Sequence, residues 1–426
     1  MMTPETPVTP HPAPVGVVVD GYSVGKFLPA AFQRLGADVV HLQSTPEFLS
    51  TVPPPDLRPY LANVVHDGLE GTAKQLAEYA PVCILPGQET GVMPADLFAE
   101  YLGLPGNGSA LSLSRRDKYE MIEALRSAGI HCARQLKSAD PAEIVEWAQR
   151  ESAYPVVVKP LSSASADGVF ICRNAQEVRA AAVSVLGSYD IFERRNTEVL
   201  VQSFLQGTEY IVDIVRGPGG GRHVCGVWEY EKTETGSRRI YDKDVLLTPD
   251  NEPVAELVAY LDTVLEALEI RFGAAHAEII MTPEGPALVE IGARLNGNLE
   301  PGFHDACTDG NQADLLALAC VRPEEYARRF TGKTMYRKRH EGIVYHGQTS
   351  LSGVVAAIDE RVLAEIGALN TVHLAVPRVA PGDRLRPTTD LLSSPLRVYL
   401  TGSNHQDLMA DYRRIVALKD DVFRLV

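Results

Sequence analysis

Two glutamates late in the sequence would face each other if the segment around them folds as a β-hairpin. The apolar runs His276–Met281 and Ala287–Ile291 flank Thr282–Pro286, whose prolines and glycine predict a five-residue loop. Folding the segment symmetrically pairs Glu278 with Glu290. Cross-strand neighbours lie about 4.5–5.5 Å apart at Cβ, so the two carboxylates would repel each other. A cation between them would remove that repulsion; a solvated hairpin face is the alternative.

A positive charge and two amides follow the second glutamate. Arg294 comes four residues after Glu290, and Asn296 and Asn298 come next. Carboxylates beside a fixed cation and amide oxygens are groups that bind Mg²⁺ and phosphate. The segment therefore predicts a magnesium and phosphate site, with Arg294 as a surface ion-pair partner being the alternative.

The composition limits the class of protein. With 426 residues the chain is long enough for more than one domain. Its formal net charge of −15 argues against a nucleic acid as the partner, because proteins that bind nucleic acids carry basic surfaces. The six cysteines form no CxxC pair and predict buried thiols in the reducing cytoplasm. No uncharged apolar stretch approaches the roughly 18 residues of a membrane span, so we expect no contact with the membrane interior.

The order of apolar runs predicts an α/β protein. Val15–Val19, helical spacing through Phe27–Leu35 and the strand-like Asp38–Leu42 form a β-α-β opening. Further along, residues 198–205 and 208–215 are expected to pair with each other as antiparallel strands. The predicted parts are, in order, a flexible tail (1–14), an N-terminal α/β domain (15–110), linker helices with a small lid (111–198), and a large sheet domain that holds the metal hairpin and a β-rich C-terminal part (199–426).

Two lysines could contact phosphates. Lys159 ends a Val-rich strand and precedes the small-residue loop Ser162–Gly168, whose backbone N–H groups could form an anion-binding nest. The Walker pattern GxxxxGK[ST] is missing. Lys118 lies on a predicted helix that Ser114 would cap. Either lysine alone is typical of a surface cation, so a phosphate role depends on the rest of the sequence.

The order of these segments resembles the ATP-grasp superfamily, and within it the branch of amino-acid ligases (dipeptide synthetases). The segments are Arg116-Asp117-Lys118, Val157-Val158-Lys159-Pro160, Gly207-Thr208-Glu209-Tyr210 and Val289-Glu290-Ile291-Gly292-Ala293-Arg294. The resemblance covers roughly residues 16–319. It implies an α/β ATP-grasp fold, with an N-terminal α/β domain, a small lid domain and a larger C-terminal sheet domain.

The resemblance also implies a role for each matching residue. The residues implied in ATP binding are Lys118 and Lys159 at the α- and β-phosphates, Ser163, Ser165 and Gly168 in a closing loop, Gln202, Phe204 and Leu205 at adenine, Glu209 at the ribose, and Lys232 at the γ-phosphate. Glu278 and Glu290 would hold Mg²⁺, for which Mn²⁺ could substitute. Arg294 and Lys159 would be catalytic, because their charges offset the charge of the transferred phosphoryl group.

Several of these roles have alternatives. Glu209 could be a polar residue of an alternating strand, and Lys232 could point into solvent from its Glu-rich strand. Many family members carry Asn where this chain has Gly292, which leaves a second metal ion in question. Asn296, Asn298 or water could replace the missing ligand.

Five residues are candidates for substrate binding, namely Glu89, His276, Asn296, Asn298 and His304. His276 alternates onto the face of Glu278, so it could line the site or be a strand histidine with satisfied hydrogen bonds. His304 lies in a glycine-rich segment, where a loop position in solvent is the favoured interpretation.

The predicted reaction follows from the resemblance. A carboxylate attacks the γ-phosphate of ATP, an amine attacks the resulting acyl phosphate, and ADP and phosphate are released. The expected partners are a small-molecule carboxylate and an amine, with no nucleic acid and no membrane; a homodimer is allowed but not required. The alternatives are another type of ATP-grasp ligase, from purine synthesis or carboxylation, and a nucleotide-binding module without turnover.

Overall fold

The described part of the protein is divided among four β-sheets and the helices that cover them. The computed structural model describes residues 12–150, 154–163, 167–235 and 238–426. None of the helices in these ranges is both long and apolar enough to cross a membrane.

The N-terminal sheet is parallel and has the strand order β3-β2-β1-β4. Its strands and helices are β1 (Val15–Val19), α1 (Leu28–Arg34), β2 (Asp38–Gln43), β3 (Asn63–Val65), α2 (Leu69–Ala77), β4 (Cys83–Pro86) and α3 (Val92–Tyr101). The chain adds β2 and β3 on one side of β1 and then returns to add β4 on the other side. The strand order therefore reverses between β1 and β4, and the loops that follow these two strands lie side by side. A Cβ on Gly87 would lie 2.6 Å from the carbonyl oxygen of Asp20, which explains the glycine at this close approach.

The second sheet forms the predicted lid and has the order β5-β8-β6-β7, with antiparallel neighbours throughout. Its elements, after the linker helix α4 (Lys118–Ser127), are β5 (Gln135–Ser138), α5 (Pro141–Arg150), β6 (Val156–Lys159), β7 (Phe170–Cys172), α6 (Ala175–Val185) and β8 (Val199–Ser203). Ile144 and Trp147 of α5 and Val178 of α6 pack on the valines of β6.

The predicted pairing of residues 198–205 with 208–215 is wrong. Strand β8 pairs with β5 and β6, whereas the next strand, β9 (Thr208–Arg216), pairs in the large sheet. The chain crosses from one sheet to the other at residues 204–207 instead of turning back. Gly207 has φ +159° and a Cβ there would lie 1.9 Å from the oxygen of Met281, so the crossing needs glycine. We propose to draw the lid boundary at this crossing and not at residue 198.

The large sheet has the order β13-β12-β9-β10-β11-β15-β19-β17, and β14 pairs with β10. Its further strands are β10 (Arg222–Thr235), β11 (Arg238–Leu246), β12 (Gly273–Thr282), β13 (Gly285–Gly292), β14 (Lys333–Met335), β15 (Glu341–Gly347), β17 (Val372–Pro377) and β19 (Leu396–Gly402). Helices α7 (Glu252–Ala267), α8 (Pro301–Cys307), α9 (Gln312–Val321) and α10 (Pro323–Arg329) accompany it. Leu257 and Leu261 of α7 are fully buried against the sheet, as its amphipathic pattern predicts.

The C-terminal part adds a small sheet of β16 (Gly353–Ile358), β18 (Arg384–Leu385) and β20 (Phe423–Leu425). Helices α11 (Glu360–Gly367) and α12 (His405–Leu418) pack beside it. Ile366 and Ile415 from these helices share a core with Val398 of the large sheet, so the C-terminal part extends the large domain.

The β12–β13 hairpin places Glu278 directly opposite Glu290, as predicted. The predicted five-residue loop is wrong, because Thr282 already pairs with Gly285 and only Pro283 and Glu284 form the turn. The tighter turn would shift the register, but a β-bulge at Val289 shifts it back. The two departures cancel, and the two carboxylates therefore face each other.

Candidate active site

A cleft of about 720 Å³ separates the lid sheet from the large sheet. The predicted residues that line it are Lys118, Lys159, Ser163, Gly168, Gln202, Phe204, Leu205, Glu209, Lys232, Glu278 and Glu290. Ser165 falls outside the described residues. Thr389, Asp390 and Leu391 of the C-terminal part also line the cleft, and no sequence signal marked them.

One wall of the cleft is an apolar slot with a single amide. Val157 pairs with Ile171 on one side and with Gln202 on the other, so the three lie in register across the lid sheet. Gln202 is buried, and its Nε2 donates to Gln135 at 2.9 Å. A slot of this kind suits a flat heteroaromatic ring, which needs apolar faces and few polar groups.

Lys118 connects the hairpin to the lid loop. Its Nζ lies 2.7 Å from Oε2 of Glu290 and donates to the carbonyl oxygen of Ser163 at 2.7 Å. The predicted cap of its helix is wrong: Asp117, not Ser114, accepts hydrogen bonds from the N–H groups of Tyr119 and Glu120. Because the helix starts after Asp117, Lys118 is its first residue and can reach the hairpin.

Lys159 is buried in the cleft, and no acid in the described part of the chain forms a hydrogen bond with it. Burial and the charge of Lys118 lower the pKa of Lys159 to about 8, although Glu290 and Glu278 oppose this shift. A buried ammonium in this setting is stabilised by an anion. The two lysines therefore form a site for negatively charged oxygens opposite the hairpin acids.

The two hairpin acids have different surroundings. Burial favours the protonated form of both, but Lys118 holds the pKa of Glu290 below its ordinary value. The pKa of Glu278 is raised, first by burial and then by the charges of Glu290 and Glu209, while a hydrogen bond to His276 opposes the rise. Glu278 thus lacks a sufficient positive partner.

A divalent cation fits this pair of acids. No group of three or more His, Cys, Asp or Glu side chains that could hold a metal occurs among the described residues. Mg²⁺, however, usually takes one or two carboxylates and completes its shell with phosphates and water. The excess negative charge at Glu278 is what such an ion would neutralise.

Gly292 has no side chain that could hold a second metal ion, and the structure gives a reason for the glycine. A Cβ at this position would lie 2.9 Å from Oε1 of Glu89 and 3.1 Å from Cζ of Arg294. The Glu89–Arg294 pair therefore occupies the space of a larger side chain. Asn296 and Asn298 are not among the residues that line the cleft, and their amide nitrogens donate to Asp213 at 2.7 Å and to Asp244 at 3.2 Å.

His276 is a buried histidine that hydrogen-bonds Asp213 and lies beside the candidate metal ligand Glu278. Its Nδ1 lies 2.8 Å from Asp213, and its Nε2 lies 3.6 Å from Oε1 of Glu278. Burial lowers its pKa, but the hydrogen bonds to Asp213 and Glu278 outweigh this and raise the pKa to about 9. Asp213 was missed, although an acid inside the apolar strand Thr208–Arg216 is a signal of a buried partner.

The predicted solvent position of His304 is wrong. His304 lies on helix α8 and is 6% exposed, and its Nδ1 is 2.8 Å from the oxygen of Glu300. Pro301 starts this helix and the Glu300 side chain caps it, so the glycine-rich segment does not form a loop here. The ring packs against Trp228 and Phe303, and burial lowers its pKa.

Arg294 is held by Glu89 on the side of the N-terminal sheet. Its Nε and Nη2 lie 2.8 and 2.7 Å from Oε1 of Glu89, and Nη1 of Arg116 lies 3.3 Å from Oε2 of the same carboxylate. Burial opposes ionisation of Glu89, but Arg294 and Arg116 lower its pKa to about 2. Arg116 belongs to the motif Arg116-Asp117-Lys118, but the sequence alone predicts no role for it.

Lys232 and Glu209 form an ion pair that faces the cleft. Their Nζ and Oε2 atoms are 2.6 Å apart, and the ammonium lies 4.1 Å from the ring centre of Tyr241. Lys232 does not point into solvent, since its side chain is 13% exposed. Both side chains therefore line the cleft, and their roles at the ribose and the γ-phosphate stay predictions.

Comparison with known proteins agrees with this geometry. The sequence model of the ATP-grasp domain family matches residues 152–301. The chain is 34% identical over 386 residues to dapdiamide A synthase of Enterobacter agglomerans, covering 89% of each chain. The crystal structure of an L-amino acid ligase from Bacillus licheniformis superimposes with a TM-score of 0.75 at 19% identity, covering 98% of this chain and 99% of that one.

A second solved structure shares the fold but comes from another branch of ligases. Carboxyaminoimidazole ribonucleotide synthase from Aspergillus clavatus, solved with ATP, superimposes with a TM-score of 0.68 at 13% identity, over 96% of this chain and 99% of that one. At that identity the likeness concerns the fold alone. Sequence identity over nearly the whole chain distinguishes the branches, and the chain belongs to the ATP-grasp superfamily, in its amino-acid ligase branch.

Proposed function

We propose that this protein is an ATP- and Mg²⁺-dependent ligase that joins a carboxylate to an amine through an acyl phosphate, with release of ADP and phosphate. The observation that carries the proposal is the pairing of Lys118 and Lys159 with the cross-strand acids Glu278 and Glu290 in one cleft. Positive groups for phosphates face negative groups for a metal ion, which is the arrangement that phosphoryl transfer requires.

The nucleotide would lie between the lid and the large sheet. The slot of Val157, Ile171 and Gln202 would take adenine, and Glu209 would accept from the ribose hydroxyls. Lys159, desolvated and without a bonded acid, would regain its full charge beside phosphate oxygens. Lys118 already holds the Ser163 carbonyl and would relay phosphate binding to the lid loop.

Glu278 and Glu290 would hold the magnesium ion. When bound, Mg²⁺ offsets the charge of the β- and γ-phosphates. A single ion is the simpler arrangement here, because Gly292 offers no side chain and neither Asn296 nor Asn298 lines the cleft. His276, held by Asp213, lies 3.6 Å from the Glu278 carboxylate and would help to orient it.

Arg294 would bind the activated carboxyl group. Glu89 fixes its guanidinium through Nε and Nη2, which sets the position of the charge before substrate arrives. A prepositioned cation stabilises the transferred phosphoryl group without reorganisation. The lid must exclude water at this stage, since an acyl phosphate hydrolyses readily.

We infer that both substrates are amino acids or close derivatives. The relatives support this class, because one is a dapdiamide A synthase and a structural neighbour is an L-amino acid ligase. A buried carboxylate between two guanidiniums on the substrate side, Glu89 between Arg294 and Arg116, suits a ligand that carries both an ammonium and a carboxylate.

The test is a screen of amino-acid pairs with ATP and Mg²⁺. We expect ADP and phosphate only when an acid and an amine are present together, and a product whose mass is the sum of the substrates less one water. Hydroxylamine in place of the amine should trap the acyl phosphate as a hydroxamate. Release of AMP and pyrophosphate would contradict the proposal, and product formation that depends on bicarbonate would favour the carboxylating type.

A further inference from the structure

Arg116 has one side of its guanidinium without a protein partner. The residue is 5% exposed, and its Nη1 lies 3.3 Å from Oε2 of Glu89. Its Nε and Nη2 are both buried, and within the described ranges of the chain neither has a hydrogen-bond acceptor. Buried donors on a charged group are costly to leave unpaired, so two on one edge call for an explanation.

The Nε/Nη2 edge is the side of a guanidinium that can bind a carboxylate through two parallel hydrogen bonds. Other arginines in the chain use the same two nitrogens for this purpose. Arg58 donates from Nε and Nη2 to Asp56 at 2.9 and 2.6 Å, and Arg115 donates from the same atoms to Asp96 at 3.1 and 3.0 Å. Arg116 therefore presents a fork that matches a planar carboxylate in both spacing and charge.

The acids near the lid tip make their hydrogen bonds to other groups and not to this edge. Glu89 is shared with Arg294, which takes its Oε1. Asp20 accepts from Ser44 and Thr90, and Asp190 accepts from the backbone N–H groups of Phe192 and Arg194. Arg194 adds a further positive charge, and its pKa is lowered by burial and by Arg116. Within the described ranges, the Nε/Nη2 edge of Arg116 therefore has no carboxylate partner from the protein itself.

The position of Arg116 in the fold, like its charge, suits the binding of a substrate. Glu89 follows β4 at the point where the parallel N-terminal sheet changes direction, which is where such sheets bind ligands. The same carboxylate links Arg116 to Arg294, which lies on the hairpin side. A molecule bound here would extend from the reacting centre toward the N-terminal sheet.

The tip of the lid domain covers this place. The ring of Phe192 lies against the guanidinium, with Cζ of Arg116 4.9 Å from the ring centre. The tip is tied to the N-terminal domain, because Ser50 N–H donates to Glu193 at 2.9 Å and Thr51 Oγ1 donates to the oxygen of Ile191 at 2.6 Å. Opening these contacts would admit a ligand, and closing them would desolvate it.

We propose that the Nε/Nη2 edge of Arg116 binds a substrate carboxylate side-on under the lid tip, as a recognition residue of the ligase. The proposal rests on the ligase function, and the carboxylate can belong either to the acid or to the amine substrate. Phe192 holds the plane of the guanidinium, so the fork is in place before the ligand arrives.

The experiment compares Arg116→Lys with wild type on the amino-acid pair that the product screen identifies. Lysine keeps the charge beside Glu89 and Phe192 but loses the fork. We expect the KM of one substrate to rise about tenfold or more, with the KM of ATP within about twofold of wild type, since a charged bidentate hydrogen bond contributes on that scale. The substrate whose KM rises identifies the source of the carboxylate.

Two controls keep the result interpretable. Arg195→Gln removes an exposed charge from the same lid tip and should leave every KM unchanged. Where the amine substrate is affected, its carboxamide analogue should bind wild type and Arg116→Lys equally. If Arg116→Lys is folded but too slow to assay, the thermal shift given by each substrate with ADP and Mg²⁺ replaces KM, and loss of one shift supports the proposal.

The contradicting outcomes are equally specific. Unchanged KM values for both substrates in Arg116→Lys, or a rise confined to ATP, overturn the role of Arg116 while wild-type amide formation leaves the ligase function standing. Absence of amide formation by wild type is a different failure, because it removes the ligase function itself.

Discussion

Nζ of Lys118 lies 2.7 Å from the carboxylate of Glu290, whereas the opposing Glu278 has, among the described residues, His276 at 3.6 Å and the hydroxyl of Tyr230 at 3.3 Å as its polar neighbours. The two acids of the hairpin are therefore not equivalent. One is neutralised by a lysine that also holds the lid loop, and the other is left with excess negative charge.

This asymmetry predicts opposite effects of two similar substitutions on the protein without ligand. Glu278→Gln should leave the melting temperature unchanged or raise it, because it removes a buried charge that faces Glu290. Glu290→Gln should lower it, because Lys118 and Lys159 lose their nearest counter-charge. Thermal unfolding of the two variants without nucleotide measures this directly, and equal shifts in the same direction would contradict the asymmetry.

Both variants should respond far less than wild type to Mg²⁺-ATP. A ligand at about 100 times its dissociation constant stabilises a protein by about 2.7 kcal/mol, so the loss is measurable in the same experiment. Turnover should fall by orders of magnitude. A normal Mg²⁺-ATP shift in Glu290→Gln would show that the hairpin acids do not hold the metal.

Because the pKa of Lys159 is lowered, we expect the protein to take up protons when it binds nucleotide. Burial and Lys118 lower its pKa from 10.5 to about 8. Phosphate oxygens should raise the pKa again, so ATP binding near pH 8 should take up protons. Calorimetry in two buffers with different ionisation enthalpies measures the uptake, and Lys159→Met should abolish it while weakening ATP binding. Equal heats in the two buffers for wild type would count against this role.

The same shift predicts a pH dependence of stability. Between about pH 8 and 10.5 the unfolded state binds more protons at Lys159 than the folded state does, so this residue's destabilising contribution falls as pH rises through that window. Lys159→Met should therefore be more stable than wild type below about pH 8 and lose that advantage above pH 10.5. A difference independent of pH would contradict the buried, desolvated state of Lys159.

The metal hairpin could be predicted because strand alternation fixes which side chains share a face. Glu278 and Glu290 pair as expected, yet the turn is shorter and Val289 is bulged. Turn length and bulges depend on packing around Pro283 and Val289, which the pattern of apolar residues does not contain. The pairing was therefore right while its geometric reason was wrong.

The substrate side could not be predicted in the same way. Glu89 and Arg294 are 205 positions apart, and only the docking of the N-terminal sheet on the hairpin joins them. The same holds for Asp213, which the sheet register places beside His276. Asn296 and Asn298 follow the hairpin closely in sequence, but the fold turns their amide nitrogens toward buried aspartates of distant strands and leaves both residues outside the cleft lining.

His276 predicts a loss of stability in mildly alkaline solution. Its pKa is about 9 in the folded protein, above the ordinary 6.5, because hydrogen bonds to Asp213 and Glu278 outweigh burial. The stabilisation is complete below about pH 6.5 and is lost as pH rises toward 9. Unfolding measured across this range should show the loss in wild type and in His405→Asn, an exposed control, but much less in His276→Asn. A flat wild-type profile would contradict the paired state of His276.

Replacing Glu89 should lower the stability of the protein strongly, in addition to its effect on catalysis. Glu89→Gln leaves the buried guanidiniums of Arg294 and Arg116 next to each other, and removing one partner of a buried ion pair costs about 3–5 kcal/mol. Denaturant unfolding should detect the loss, and the exposed Glu78→Gln should show none. Adding Arg294→Gln to Glu89→Gln should recover part of the stability, since it removes the uncompensated charge, while turnover stays low.

The pKa of Glu89 near 2 means that its stabilisation is full above about pH 4.5 and declines as pH falls toward 2, so wild type should lose its advantage over Glu89→Gln in acid. If the two proteins differ equally at pH 7 and pH 3, ionisation of Glu89 is not what holds the two arginines.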